Sequence, residues 1–179
     1  MSRRFFIANP VINLPEYILT NYKAAGILPF KRVYHGTYGL MGSQHHKKSF
    51  RRVPEFTLFG GKRESFDTGP WETALREFHQ ETNFYFQYFR LNPVHAVFGC
   101  GGYVLYFCEL PFIDEHSIPT SHEKLGYKWF NYTEMILDGE ILGIPKYIRM
   151  LLEANSVINH RRILIDAVES NEKVVRKDQ

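Results

Sequence analysis

The sequence predicts one α+β domain, built as a three-layer α/β/α sandwich with a mixed central sheet. Two observations predict this class. Paired apolar segments that suit hairpins alternate with only a few helical segments. Hydrophobic residues make up 44% of the chain and aromatic residues 16%, which is enough for a substantial core and excludes a disordered chain. The length of 179 residues fits one domain of ordinary size.

The first part of the chain is predicted to form a short helix followed by a hairpin. Pro15 suits the first turn of a helix, so a short helix is expected there. Residues 23–30 and 38–42 are apolar segments joined by turn residues, which predicts two paired strands. A polar loop over 43–52 precedes a third strand at 55–59, and the two glycines that follow are expected to end that strand and open a loop.

Residues 70–82 give the clearest helical signal in the sequence. Pro70 is pre-set for the first turn, and Ala74, Leu75 and Phe78 recur at the spacing of one buried helical face. Aromatic-rich and apolar runs beyond this helix predict four strands and a final helix. These strands lie at 84–90, 94–99, 103–109 and 127–130, a long loop covers 110–126, and the helix covers 145–152.

The domain is predicted to span residues 23–168, between an N-terminal extension over 1–22 and a charged tail over 169–179. Its longest apolar runs are too short to cross a bilayer, so no membrane partner is expected. The apolar stretch near the N-terminus is broken by Asn9 and Pro10, which argues against a secretory signal. The two cysteines are expected to be reduced thiols of a cytoplasmic protein, with the nucleus as the alternative location.

The net charge of +3 is distributed unevenly along the chain. Cationic residues concentrate on either side of the strand at 55–59. They are Lys47, Lys48, Arg51, Arg52, Lys62 and Arg63. Such an excess suits a polyanionic substrate, and these six residues are the candidate substrate-binding cations. The alternative interpretation is a solvated hairpin loop.

Two glutamates on the helix at 70–82 have the spacing of a metal site. Residues four apart lie about 40° apart around a helix axis and ~6 Å apart along it, so Glu77 and Glu81 share one face. Two carboxylates this close repel each other unless a cation lies between them. Oxygen ligands of this kind suit Mg²⁺, which keeps further positions for water and substrate phosphates. Gly60 and Gly61 upstream allow the backbone to approach a bound phosphate.

This arrangement resembles the Nudix box. That pattern is Gly, five residues, Glu, seven residues, Arg-Glu, an apolar residue, any residue, Glu-Glu, any residue, Gly and an apolar residue. The corresponding positions here are Gly61, Asp67, Arg76, Glu77, Phe78, Gln80, Glu81, Asn83 and Phe84. Asp67, Gln80 and Asn83 depart from the pattern, and one extra residue, which we assign to Gly69, lengthens the loop.

The departures differ in their chemical consequence. Asp67 keeps a carboxylate and is expected to pair with Arg76, which would hold the loop against the helix. Asn83 falls where the helix ends, and Asn is the usual substitute for Gly in a left-handed cap. Gln80 offers a metal one neutral oxygen, but it brings no charge and accepts no proton.

The resemblance implies a Mg²⁺-dependent hydrolase, with Mn²⁺ as the alternative ion, that cuts a phosphoanhydride bond. It implies that Glu77 and Glu81 are catalytic metal ligands, and that Gln80 and Gly61 complete the set. The implied substrate is a nucleoside diphosphate linked to another moiety. Candidates are capped RNA, dinucleoside polyphosphates, ADP-ribose or nucleotide sugars, and inositol pyrophosphates, so RNA is a candidate partner.

The group that activates water is left open among several acids. Glu77, Glu81 or a carboxylate from another loop has to serve. Glu123, which precedes the strand at 127–130, is the preferred loop candidate, and Asp114 and Glu115 are the alternatives. A competing function is a catalytically weakened Nudix-fold module that binds a nucleotide or RNA without cutting it.

Overall fold

The structure is a computed structural model that describes residues 6–8, 14–44, 54–111 and 113–155. Within these ranges it has the predicted α+β class, with an eight-stranded mixed sheet and helices packed on it. The charged tail over 169–179 and the basic residues Lys47, Lys48, Arg51 and Arg52 lie outside the described residues. No helix in these ranges has both the length and the apolar character of a membrane span.

The strands pair into one sheet in which a single described pair runs parallel. They are β1 (Phe6–Ala8), β2 (Ala24–Val33), β3 (Gly36–Gln44), β4 (Glu55–Thr57), β5 (Phe59–Lys62), β6 (Pro93–Gly99), β7 (Tyr103–Glu109) and β8 (Gly126–Asn131). The order is β1-β6-β7-β2-β3-β4, with β5 also paired to β2 and β8 to β3. β2 and β7 are parallel, and the other pairs are antiparallel.

Helices contribute to two separate hydrophobic cores. They are α1 (Glu16–Asn21), α2 (Pro70–Glu81), α3 (Tyr132–Leu137) and α4 at 146–155. Ile18 of α1 and Phe78 of α2 belong to one core, whereas Met135 of α3 and Leu151 of α4 belong to the other. Two cores that share one sheet give the three layers of the predicted sandwich.

Part of the predicted N-terminal extension joins these layers. β1 pairs with β6, and Ile18 of α1 is fully buried. The helix expected at Pro15 is α1, with Pro15 as its N-cap. The boundary at residue 23 therefore stays a prediction, and the stretch that precedes it contributes a strand and a helix that buries Ile18.

Two sequence predictions about local structure are wrong. Residues 84–90 are not a strand but a series of turns, because Asn83 and Phe84 adopt left-handed backbone angles (φ 50° and 60°) at the end of α2. The following turns bury Phe86 beside Phe78, with ring centroids 5.1 Å apart. Gly60 and Gly61 do not open a loop, because β5 continues through Lys62 and pairs Gly61 with Ala25 of β2.

The two cysteines lie at opposite ends of β7. Cys100 is exposed in the turn between β6 and β7, and Cys108 is buried in the strand. Neither forms a disulfide within the described residues. Burial raises the pKa of the Cys108 thiol to about 12, so this thiol stays protonated near neutral pH.

Candidate active site

Helix α2 packs across β2 and β5 and carries the candidate ligands. Gly69, whose backbone is extended, precedes Pro70 in the first turn, and the Thr73 N–H donates to the Gly69 carbonyl. The apolar residues of the helix face the core: Phe78 contacts Phe59 of β5 edge-to-face, with ring centroids 5.3 Å apart. The core contacts fix the rotation of the helix, which orients Glu77 and Glu81 on the adjoining flank.

Arg76 is the centre of a polar cluster at the loop that precedes α2. Its Nη2 and Nε donate to the two oxygens of Asp67 at 2.9 and 3.2 Å, and its Nη1 donates to Glu77 Oε1 at 2.8 Å. Asp67 also accepts from the Glu64 N–H and the Thr73 hydroxyl, both at 2.8 Å. Hydrogen bonds from Arg76 hold the pKa of Asp67 at about 2, so this carboxylate is ionised across the physiological range.

Glu77 lies directly against the backbone of Gly61. A Cβ atom added at Gly61 would come within 2.6 and 2.7 Å of the two Glu77 carboxylate oxygens. The absence of a side chain at Gly61 is therefore what allows this carboxylate to lie over β5. Gly61 and Glu77, two residues of the Nudix-like motif, are therefore in direct contact.

Glu81 is almost fully buried and lies beside a buried lysine. Only 3% of Glu81 is exposed, and its Oε1 is 3.7 Å from Lys124 Nζ. Burial raises the pKa of Glu81 to about 9; Lys124 opposes the rise, and Glu123 and Glu77 add to it. Because Lys124 does not cancel the rise, this carboxyl group favours its negative form only when a further cation binds beside it.

The donors of this cluster fit a divalent cation. Glu81 Oε2 is buried and has no hydrogen-bond partner among the described residues, and Glu77 lies close enough to affect Glu81 electrostatically. Carboxylate oxygens are the ligands that Mg²⁺ prefers, usually one or two with water and phosphate completing the octahedron. Gln80, which directly precedes Glu81 in the helix, is exposed. In the described part of the chain, no group of three or more His, Cys, Asp or Glu side chains is arranged to hold a metal.

The structure separates the three candidate loop acids. Glu123 is exposed and interacts electrostatically with both Glu81 and Lys124. Asp114 instead caps a short 3-10 turn at Glu115–Ser117 by accepting from the His116 N–H at 3.0 Å. Glu115 lies beside Lys31 and His116. Of the three acids, Glu123 is thus the one with a described interaction with the glutamates of α2.

The two described candidates for substrate-binding cations differ in their surroundings. Lys62 is exposed at the end of β5. Arg63 stacks its guanidinium on Tyr22 at 4.3 Å and donates to the Thr20 carbonyl at 3.1 Å, so it ties the loop to the end of α1. Substrate binding by either residue stays a prediction.

Sequence reasoning did not assign Tyr103 and Lys124 to the site. The Tyr103 hydroxyl lies directly over Gly26 and Gly60, where a Cβ would clash with it. Its pKa is raised by burial and by nearby negative groups that include Glu81 and Glu77. The sequence feature that could have indicated Tyr103 is the pair of glycines, Gly26 and Gly60, on neighbouring strands. Lys124 carries no such local signal.

Comparisons with a family model and with solved structures identify similar proteins. The family model described as NUDIX domain matches residues 24–151. A C. elegans Ap4A hydrolase binary complex is 17% identical, with 78% of this chain and 98% of that chain covered and a TM-score of 0.54. The MutT protein from Methanosarcina mazei Go1 is 18% identical, with 79% and 98% covered and a TM-score of 0.48. No curated protein matches the chain.

The family match covers most of the chain and includes the motif and the strands around it. The C. elegans structure shows the same fold. Nudix hydrolases generally require a divalent metal and act on nucleoside diphosphate-linked substrates. The chain belongs to the Nudix family and is a Nudix-type pyrophosphohydrolase.

Proposed function

We propose that this chain hydrolyses a phosphoanhydride bond in a nucleoside diphosphate linked to another moiety, with Mg²⁺ held by Glu77 and Glu81. One observation carries the proposal: Glu81 is buried, its Oε2 has no hydrogen-bond partner among the described residues, and Glu77 lies nearby against Gly61. Gln80 and Gly61 stand next to this pair as the remaining ligand candidates. Mn²⁺ is expected to substitute for Mg²⁺, because both ions accept carboxylate and water ligands.

The protein residues have distinct parts in the proposed reaction. A divalent ion, when bound, neutralises phosphate oxygens and orients the attack. Glu123 takes the proton of the attacking water as the new phosphorus–oxygen bond forms and the anhydride bond breaks. Its position beside Glu81 supports this assignment over Asp114 and Glu115. The Asp67–Arg76 pair fixes the loop, and Arg76 holds Glu77 through Oε1.

The first substrate that we propose is a dinucleoside polyphosphate. The C. elegans protein that shares the fold is described as an Ap4A hydrolase, and the cation excess in the sequence over 47–63 suits a substrate with several phosphates. Capped RNA, ADP-ribose, nucleotide sugars and inositol pyrophosphates belong in the same assay panel. We place the reaction in the cytoplasm, consistent with the absence of a disulfide among the described residues.

The test is Mg²⁺-dependent turnover of this panel, with products identified by mass, by the wild-type chain and by Glu81→Gln. We expect the variant to lose roughly 10²–10³-fold in kcat, because a ligand of the ion that stabilises the transition state is removed. Glu72→Gln is the matched control, since Glu72 is an exposed glutamate on the same helix. A folded Glu81→Gln variant with near-normal turnover refutes the metal assignment. Ligand binding without turnover by the wild type favours the weakened binding module instead.

A further inference from the structure

Lys124 is a fully buried lysine inside the candidate active site, with an exposed fraction of 0%. Burying an ammonium group away from water is costly unless its donors are satisfied and a negative charge lies nearby. Here both conditions are met. The neighbours of Lys124 Nζ come from β3, β4, α2 and the residue between β4 and β5.

The ammonium group is enclosed by three hydrogen-bond acceptors. Lys124 Nζ donates to Gln44 Oε1 at 3.1 Å, to the Leu58 carbonyl at 3.3 Å and to the Thr57 hydroxyl. Thr57 in turn donates to Gln44 Oε1 at 3.2 Å. Three donated bonds use all the hydrogens of an ammonium group, whereas a neutral amine has only two. The cage therefore suits the charged form.

The stem and backbone of Lys124 are fixed as well. The stem passes over Gly42 of β3, where an added Cβ would lie 2.5 Å from Cδ and 3.0 Å from Cε. The Lys124 N–H donates to the Ser121 hydroxyl, and the Ser121 N–H donates to the Lys124 carbonyl, both at 3.0 Å. The side chain thus has a path that only a residue without Cβ provides.

The contact with Glu81 is directed at one oxygen. Lys124 Nζ lies 3.7 Å from Oε1, while Oε2 is buried without a hydrogen-bond partner among the described residues. Glu77 shows a parallel arrangement, since Arg76 contacts its Oε1 at 2.8 Å. Glu77 and Glu81 therefore each have a basic partner of their own at one oxygen.

We propose that Lys124 is a positioning residue for Glu81: its ammonium group, fixed by the three acceptors 3.7 Å from Oε1, attracts that oxygen and leaves Oε2 for the divalent ion. This inference rests on the proposed role of Glu81 as a metal ligand. It predicts that loss of Lys124 acts on the geometry of the reacting complex rather than on substrate affinity. Misplacement of a catalytic group by about 1 Å costs on the order of 10²-fold in rate.

The first experiment measures the pairing in the metal-free, full-length protein. Glu81→Gln, Lys124→Met and the double variant are compared by thermal unfolding. Lys124→Met leaves the buried acceptors around Nζ without their donor, which is expected to lower the Tm by about 6 °C or more. If the pair is real, the double variant loses no more than the worse single variant. Strict addition of the two losses shows that the residues act independently and overturns the inference.

The second experiment measures kcat and KM for the best substrate of the panel with Mg²⁺. We expect Lys124→Met to lose about 10- to 100-fold in kcat, with KM within about threefold of wild type. Gly42→Ala serves as a second variant if Lys124→Met does not fold, because it displaces the lysine stem and keeps the charge. It is expected to lower kcat in the same way. Lys128→Met, at an exposed lysine of β8, is the control with unchanged turnover.

The outcomes separate this inference from the proposed function. Loss of turnover in Glu81→Gln with wild-type kcat in a folded Lys124→Met overturns the positioning role alone. Normal turnover in Glu81→Gln overturns the metal assignment and the positioning role together. An equal loss of kcat in Lys128→Met also contradicts the inference, because the effect would then follow from any lost lysine charge.

Discussion

Two acid–base pairs lie in this site, and their carboxyl groups are shifted in opposite directions. Hydrogen bonds from Arg76, together with the Glu64 N–H and the Thr73 hydroxyl, hold the pKa of Asp67 at about 2. Burial raises the pKa of Glu81 to about 9 although Lys124 lies beside it. Burial raises the pKa of both carboxyl groups, which are 8% and 3% exposed, but at Asp67 the hydrogen bonds outweigh it.

The difference comes from how completely each carboxylate is hydrogen-bonded. Both oxygens of Asp67 accept hydrogen bonds from Arg76. Glu81 Oε2 accepts none within the described residues. A carboxylate whose two oxygens both accept hydrogen bonds already has its charge compensated. A buried carboxylate with an unpaired oxygen can still bind a cation. The comparison supports the proposal that Asp67 has a structural role and that Glu81 binds the ion.

The largest expected effect on turnover comes from substituting Glu123, which lies near Glu81 and Lys124. Glu123→Gln removes the proposed proton acceptor and leaves the fold unchanged, so kcat is expected to fall by about 10²-fold or more. Steady-state turnover with Mg²⁺ measures it. Glu115→Gln is the matched control, since Glu115 interacts with Lys31 instead. Wild-type turnover in Glu123→Gln removes Glu123 from the mechanism.

A smaller loss of kcat is expected when the Glu77 side chain is displaced from its position against Gly61. The backbone of Gly61 has no left-handed angle, so Gly61→Ala folds, but its Cβ would lie 2.6 Å from Glu77 Oε1. We expect kcat to fall at least about tenfold because the carboxylate has to move. Gly69→Ala is the control, since a Cβ there meets no atom within 4 Å. Equal turnover in both variants would contradict the contact.

The smallest effect is on the stability of the fold, and it tests the structural role of Asp67. Asp67→Asn removes the charge that Arg76 stabilises. A pKa lowered from 3.8 to about 2 corresponds to about 2 kcal/mol of unfolding free energy at pH 7. Urea unfolding of wild type and variant measures the gap. Asp138→Asn, at an exposed aspartate after α3, is expected to show no comparable gap.

The same gap depends on pH with a defined sign. Because the pKa of Asp67 is lower in the folded chain, its stabilisation is complete above about pH 5 and is lost as the pH falls toward 2. The difference between wild type and Asp67→Asn is expected to halve by about pH 3. A difference that stays constant from pH 7 to pH 3 would show that Asp67 stabilises the fold by some route other than its charge.

Local chemistry made much of the site predictable. The spacing of Glu77 and Glu81, and the placement of Asn83 at the helix end, follow from helix geometry and capping within one segment. The core strands other than 84–90 were predictable because their apolar runs are bounded by turn residues. The segment at 84–90 misled because aromatic residues suit strands, whereas here left-handed angles at Asn83 and Phe84 begin turns that bury Phe86 against Phe78.

Contacts between residues that are far apart in the sequence were not predictable. Lys124 enters the site because Gly42, Gln44 and Thr57, distant in sequence, leave a path and a cage for it. In the sequence it is an ordinary lysine in a polar loop. The Tyr103 hydroxyl likewise depends on the pairing of β2 with β5 and β7, which places it over two glycines. Single-segment patterns carry no information of this kind.

Direct binding of a divalent ion to the metal-free chain tests the central claim most simply. Mn²⁺ is titrated into wild type, Glu77→Gln, Glu81→Gln and Glu72→Gln, and the free ion is followed by its electron paramagnetic resonance signal. We expect wild type and Glu72→Gln to bind equally, and the other two variants to bind at least about tenfold more weakly. Wild-type affinity in both Glu77→Gln and Glu81→Gln would contradict the account.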